Sequence, residues 1–214
     1  LRYVLRHAYV RRSVMVEIDC YVFAFSKKHL PFSGGAFDDP RTSLVCMDGA
    51  SWVSLRLGQQ PQGEAPMPLA DSVRAGGRDD SQLDALRDSL RKPPPGYDIS
   101  TEPRFFDAVI VDSTDFGVAR PLFTRDFYTQ VSQLLKPHGV MAINVDSPTW
   151  ARQQIRSATN RVGSVFKHAH LFQSFVTTYG SGHYSFMLAS NSVHPTRTPV
   201  RWDIFAAKKL QMHY

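Results

Sequence analysis

Three apolar runs that each end in acid constrain this chain more than any other feature of its sequence. In "FDAVIVDSTD", residues 106–115, the residues Phe106, Ala108, Val109, Ile110 and Val111 stop abruptly at Asp112 and Asp115, with only Ser113 and Thr114 between the two acids. A strand apolar at both odd and even positions is the mark of a central parallel strand between helix layers. "SVMVEID", residues 13–19, ends the same way in Glu17 and Asp19, and "TSLVCMDGASWV", residues 42–53, reaches Asp48 and Gly49. Open parallel sheets hold their ligands beyond the carboxyl ends of the strands, so these acids are expected to share one edge. A plainer role competes at each position. Asp48 suits the N-terminus of a following helix, Glu17 is favoured there by the helix macrodipole, and Asp112 suits a turn.

The rest of the chain alternates in the same manner. Residues 1–7 read as the end of a helix, with Leu1, Val4 and Leu5 at helical spacing, so the chain is expected to begin inside an element. A helix runs through Lys28, and a short one carries Trp52. Another spans about 124–135 and is ended by Lys136-Pro137-His138-Gly139, before a strand through Val145. "HLFQSFVTTY" and "YSFMLASN" form an antiparallel pair turning at Gly180-Ser181-Gly182. The expected fold is α/β, a mostly parallel, doubly wound sheet closed by that C-terminal antiparallel pair.

Residues 59–104 break the pattern. They hold half of the 14 prolines, including Pro93-Pro94-Pro95, and "LDALRDSLRK" is their only periodic segment. A loop this long is foreign to a compact domain, so it reads as a flexible surface insertion. The expected division is residues 1–58 as the first part of the domain, 59–104 as the insertion and 105–214 as the remainder.

At 214 residues with 43% apolar content, the chain is long enough for one domain with a sizeable core. The net charge of +6 comes from scattered basic residues, in short clusters such as Arg11-Arg12, Lys27-Lys28 and Lys208-Lys209. Nucleic-acid binding requires a concentrated patch, so no nucleic-acid partner is expected. The longest apolar stretches fall far short of the ~20 residues that cross a bilayer, and no basic-then-apolar leader opens the chain. The expectation is a cytoplasmic protein without a membrane partner. Cys20 and Cys46 offer no metal-ligand spacing and are expected to be core thiols, with neither a disulfide nor a metal.

Six motifs in order, "VEID", "FDDPR", "DGASWV", "FDAVIVDSTD", "LFTRDFYTQVSQLLKPHGV" and "TTYGSGHYSFMLAS", give the chain a resemblance to the aminopropyltransferases, the spermidine synthases and their relatives. The likeness covers nearly all of the chain outside residues 59–104. It implies a Rossmann-like methyltransferase fold and transfer of an aminopropyl group from decarboxylated S-adenosylmethionine to a diamine, usually putrescine. That donor is a co-substrate, and no prosthetic group is implied. By motif position Glu17 resembles the ribose-binding acid, and Asp48 with Gly49 the adenine-recognition pair. Asp112 resembles the acid that accepts the amine proton, Asp115 the one that holds the diamine's ammonium, and Tyr179 the tyrosine lining the amine channel. The resemblance also implies a homo-oligomer, a dimer or tetramer, for the full-length protein.

The sequence departs from the family at several points. The glycine-rich GGGDGG-like loop and the N-terminal β domain are not in it. Phe116 and Gly180 replace prolines, and Asn144 and Asp146 stand at a strand end where the family has Gln and Glu. Two other readings share the scaffold: an S-adenosylmethionine-dependent N-methyltransferase, and a catalytically inactive paralogue or regulatory subunit.

Overall fold

The computed structural model describes residues 1–33, 35–60, 106–113, 117 and 119–198. Asp115 and nearly all of residues 59–104 lie outside the described residues. The chain divides into two compact units, the first built on Leu1–Trp52 and the second on Val53–Gln59 with the described residues after 105.

In the first unit, helix α1 (Arg2–Leu5) leads to strand β1 (Ser13–Glu17), helix α2 (Cys20–His29), strand β2 (Thr42–Cys46) and the start of helix α3 (Gly49–Arg56). β1 and β2 pair in parallel from Ser13 opposite Thr42 to Glu17 opposite Cys46. The crossover between them is α2, as a parallel pair requires. Asp19 starts this helix by accepting the Tyr21 N–H at 2.9 Å, and Lys27, Lys28 and His29 lie in its last turn, where the macrodipole favours cations. Phe23 and Ala24 are wholly buried.

Arg41, just before β2, ties α1 and its exit to this sheet. Its guanidinium donates to the backbone carbonyls of Leu5, His7 and Val10 and makes a two-pronged pair with the Asp39 carboxylate. The two cysteines correct the expectation of free thiols, because Cys20 and Cys46 are joined in a disulfide with a Cα–Cα distance of 5.4 Å. They stand 26 residues apart in sequence. The strand register brings Cys46 opposite Glu17, and Cys20 opens the helix immediately after that strand, a proximity that sequence spacing does not express.

The second unit is a four-stranded sheet in the order β3-β4-β6-β5. It comprises β3 (Phe106–Val111), helix α4 (Arg125–Leu134), β4 (Leu135–Asn144), helix α5 (Arg152–Gly163), β5 (His168–Phe175) and β6 (His183–Ser190). β3 and β4 are parallel, while β6 is antiparallel to both β4 and β5. Thr124 caps α4 by accepting the Phe127 N–H at 3.1 Å. Phe127, Tyr128, Val131 and Leu134 then recur at helical spacing and are all buried. α4 packs on β4 and α5, and α5 packs on β5 and β6. Met141 opposite Ala189 and Ile143 opposite Met187 form the buried face of the sheet.

Three details differ from the sequence reading. "FDAVIV" is a strand, but it ends the sheet of its unit and Ile110 is 62% exposed, so among the described residues it is not enclosed between helix layers. Apolar composition lets a strand be buried without supplying its cover. Helix α4 stops where expected, yet β4 starts at once at Leu135. Its residues 136–139 bulge out between the pairs Phe106–Leu135 and Ala108–Val140, turning at Gly139, where a Cβ would come within 3.0 Å of the Leu135 side chain and the Lys136 carbonyl. Helix α5 was not anticipated. Its polar surface hides only three inward residues, Ile155, Ala158 and Val162.

The Arg41–Asp39 pair has a pH signature. Hydrogen bonds from Arg41 hold the Asp39 carboxyl at about 2, below its ordinary 3.8. A lowered carboxyl contributes stability that is present above the unfolded value and lost as pH falls through the folded one. Thermal melts between pH 4.5 and 2 are expected to show a falling Tm, with a shallower fall in Arg41→Met than in the parent protein.

Candidate active site

In the first unit the parallel pairing of β1 and β2 places the ends of both strands at one edge. Glu17 is the last residue of β1 and Asp48 follows β2 by two residues. The pairing continues past the strand, with the Met47 N–H donating to the Glu17 carbonyl at 2.9 Å. Glu17 Oε1 accepts the Asp19 N–H at 3.0 Å, which folds its carboxylate over the start of α2. The Asp19 carboxylate caps α2 in the same manner, so each of these two acids spends one oxygen on a backbone N–H. Asp48 Oδ2 accepts the Ser51 N–H at 2.8 Å, with Gly49 as the first residue of α3. The capping role weighed for Asp48 is therefore real. It engages Oδ2, and a carboxylate has further lone pairs for a ligand donor.

The second unit has its own edge. β3 ends at Val111 opposite Ile143 of β4, and Asn144 of β4 lies opposite Phe186 of β6. The end of β3, the end of β4 and the turn between β5 and β6 thus share one side of the sheet, the carboxyl side of the parallel pair. Asp112 stands first after β3 and is exposed. Among the described residues its carboxylate has no hydrogen-bond partner. Tyr179 lies in the β5–β6 turn, half exposed, its ring stacked on Tyr184 at 4.8 Å between centroids. The structure brings Asp112 and Tyr179 to the same edge in this unit, and within the first unit it brings Glu17, Asp48 and Gly49 to the carboxyl end of the β1–β2 pair.

Sequence reasoning left the roles of three residues at this edge unassigned. Asn144 clamps the turn after Asp112, its Nδ2 donating to the Ser113 carbonyl at 2.9 Å and its Oδ1 accepting the Ser113 N–H at 3.3 Å. Asp146 has a φ of 84°, the one positive φ found outside glycine among the described residues. Its carboxylate accepts the Ser147 N–H, a local bond of the kind that lets aspartate adopt this conformation. Such backbone outliers gather at functional sites. Ser147 is buried, and its hydroxyl bonds that of Ser181 at 2.9 Å, joining the end of β4 to the turn that carries Tyr179. An amide or acid just beyond a buried strand is the available sequence signal, but it does not name a hydrogen-bond partner. No group of three or more His, Cys, Asp or Glu among the described residues is placed to hold a metal ion. No described helix is long and apolar enough to cross a membrane.

The model of the spermine/spermidine synthase domain matches residues 1–57 and 98–198. The chain belongs to the spermine/spermidine synthase family. It is similar to the polyamine aminopropyltransferase of Caldicellulosiruptor bescii, 27% identical over all of this chain and 59% of that protein. It is also similar to polyamine aminopropyltransferase 1 of Aquifex aeolicus, 30% identical over 94% of this chain and 55% of that one. The chain therefore spans little more than half the length of these curated relatives. Among solved structures it resembles a spermidine synthase in complex with the transition-state analogue AdoDATO, with a TM-score of 0.67 and 26% identity, covering 92% of this chain and 52% of that one. Human methyltransferase-like protein 13, at 14% identity and a TM-score of 0.55 over 97% of this chain and 72% of that one, shares the fold alone. The architecture is the Rossmann-like methyltransferase fold expected for this family.

The turn that carries Tyr179 is held by a glycine. Gly182 has a φ of 67°, and a Cβ on it would lie 2.8 Å from the Phe175 ring. Gly182→Ala is expected to destabilise the protein by more than ~1 kcal/mol, read as a lower urea midpoint. Gly180→Ala, whose Cβ meets nothing within 4 Å, is expected to leave the midpoint unchanged.

Proposed function

We propose that this chain is the catalytic domain of an aminopropyltransferase of spermidine synthase type, moving the aminopropyl group of decarboxylated S-adenosylmethionine to putrescine and releasing methylthioadenosine. The observation that carries the reading is the family match on both sides of the insertion, which takes in the acid-bearing turns at Glu17 and Asp48 and the edge that bears Asp112 and Tyr179. The insertion reading of residues 59–104, the cytoplasmic location and the homo-oligomer belong to the same proposal.

The chemistry explains why acids are needed. A primary aliphatic amine is protonated at neutral pH and has no lone pair with which to attack, so the site must hold a cation and then deprotonate one end of it. Asp115 would fix the ammonium. Asp112 would take the proton as nitrogen attacks the carbon beside the sulfonium, and methylthioadenosine leaves with the electron pair of the broken C–S bond. Both substrates are cationic, so the acids also offset their repulsion while reacting atoms are brought to roughly 3–3.5 Å. Glu17 would accept from both ribose hydroxyls, Asp48 with Gly49 would recognise adenine, and Tyr179 would line the amine channel. The exposure of Asp112 and the clamp from Asn144 on Ser113 support this assignment, because a base must be reachable and held in place.

Substitution separates this role from a purely structural one. In the full-length protein Asp112→Asn is expected to lower turnover by ~10²-fold or more, with nucleoside binding unchanged and partial rescue at higher pH, where free amine is more abundant. Asp115→Asn is expected to raise the diamine KM as well as slow the reaction. Diamine-dependent release of methylthioadenosine is the assay, with Tm measured on the same variants. Normal turnover by folded Asp112→Asn would sink the catalytic assignment, and methyl transfer from intact S-adenosylmethionine would replace the reaction.

A further inference from the structure

The Cys20–Cys46 bond joins the two turns that carry the candidate nucleoside acids. On one side lies the run Glu17, Ile18, Asp19, Cys20, and on the other Cys46, Met47, Asp48. We propose that this disulfide is a reversible thiol-exchange site that sets the rigidity of both turns and, resting on the function proposed above, the affinity for a nucleoside ligand.

Four features of the bond support this. First, it adds a covalent tie between the two turns beside hydrogen bonds that include the Asp19 N–H to Glu17, the Tyr21 N–H to Asp19, the Met47 N–H to the Glu17 carbonyl and the Ser51 N–H to Asp48. Opening it leaves the Glu17 and Asp48 turns joined by the hydrogen bonds of the β1–β2 pairing and the Met47 N–H, without the covalent link. Second, the two sulfurs are unequal. Cys20 is 6% exposed and buried, whereas Cys46 is half-buried, so an attacking thiolate reaches Cys46 first. Third, Cys20 is the first residue of the ten-residue helix α2, and the positive end of a helix stabilises a thiolate there, which makes Cys20 the better leaving group. Fourth, the opened state is provided for. Cys46 Sγ lies 3.9 Å from the Ile18 carbonyl oxygen, an acceptor for the thiol once it carries a proton.

The exchange balances with a dithiol as reductant. One thiolate of the dithiol attacks Cys46 Sγ, the S–S bond breaks, and its electron pair leaves on Cys20 Sγ, which then takes up a proton. The second thiolate of the dithiol attacks the mixed disulfide, closing the dithiol into its own disulfide and leaving Cys46 as a thiolate that is protonated in turn. In the reducing compartment proposed for this protein, disulfides that form are mostly transient and redox-sensing, which agrees with a bond that opens and closes.

The test compares the protein isolated without reductant with the same protein after dithiothreitol. Alkylation under denaturing conditions is expected to find Cys20 and Cys46 blocked before treatment and both free after it. Hydrogen–deuterium exchange at the amides of Asp19, Tyr21, Met47 and Ser51 is expected to quicken at least fivefold on reduction, while the amides of β4 and β6 are unmoved. Calorimetry with methylthioadenosine is expected to show a severalfold weaker Kd for the reduced form and for Cys46→Ser. Both cysteines free in the untreated protein, or exchange at those four amides indifferent to reduction, overturns the proposal. A responsive exchange pattern with equal Kd in both forms overturns the control of affinity. Responsive exchange with no methylthioadenosine binding by either form supports the thiol site and counts against the proposed function.

Discussion

Strand β4 is the constraint on which the second unit depends. It pairs in parallel with β3 on one side and antiparallel with β6 on the other, so it alone decides which strand ends and which turn come together. Its alternate residues Met141 and Ile143 are almost fully buried beside Met187 and Ala189, and burying each large apolar side chain of this kind contributes ~1.5–3 kcal/mol. A slip of one residue would turn that set outward, so the hydrophobic pattern fixes the register. With the register fixed, Asn144 falls beside Ser113 and Ser147 beside the turn carrying Tyr179. The polar edge is placed by apolar packing several residues away.

In the first unit the same logic operates with charges. The β1–β2 register aligns Glu17 with Cys46, and the acids that follow are divided between two uses. Asp19 and Asp48 stabilise helix starts through their side chains, and Glu17 covers the turn between strand and helix. Capping and ligand recognition are compatible because a carboxylate offers two oxygens and a cap needs one. A helix start also presents unpaired N–H groups, which is one reason acids and ligands meet at this edge of parallel sheets. Arg41 supplies the remaining restraint, gathering carbonyls from the irregular exit of α1 that no strand or helix satisfies.

The sequence read alone was most legible where periodicity and caps agreed. Helix α4 shows both, with Thr124 ahead of Phe127, Tyr128, Val131 and Leu134. β1, β2 and β3 were legible because runs of β-branched residues halt at acids and glycines. Helix α5 was not, since three inward residues on a polar surface give a faint pattern. The pair β5 and β6 was recognised, but β5 ends at Phe175 and leaves Tyr179 in the turn. The turn there rests on the left-handed backbone of Gly182, whose carbonyl accepts the Val176 N–H, and a propensity scale does not contain such a bond.

What the sequence by itself determined is the order of elements, the placing of Glu17, Asp48 and Asp112 at strand ends, and the family resemblance that those motifs carry. These are local properties, written in spacing and residue type. The tertiary structure decided the partnerships: the Cys20–Cys46 bond, the Asn144 clamp on Ser113, the Ser147–Ser181 link and the left-handed backbone at Asp146. Each depends on groups that strand register brings together across long stretches of chain or, at Asp146, on a backbone angle set by its surroundings. A linear sequence fixes which groups are available, and only the packed sheet fixes which of them meet.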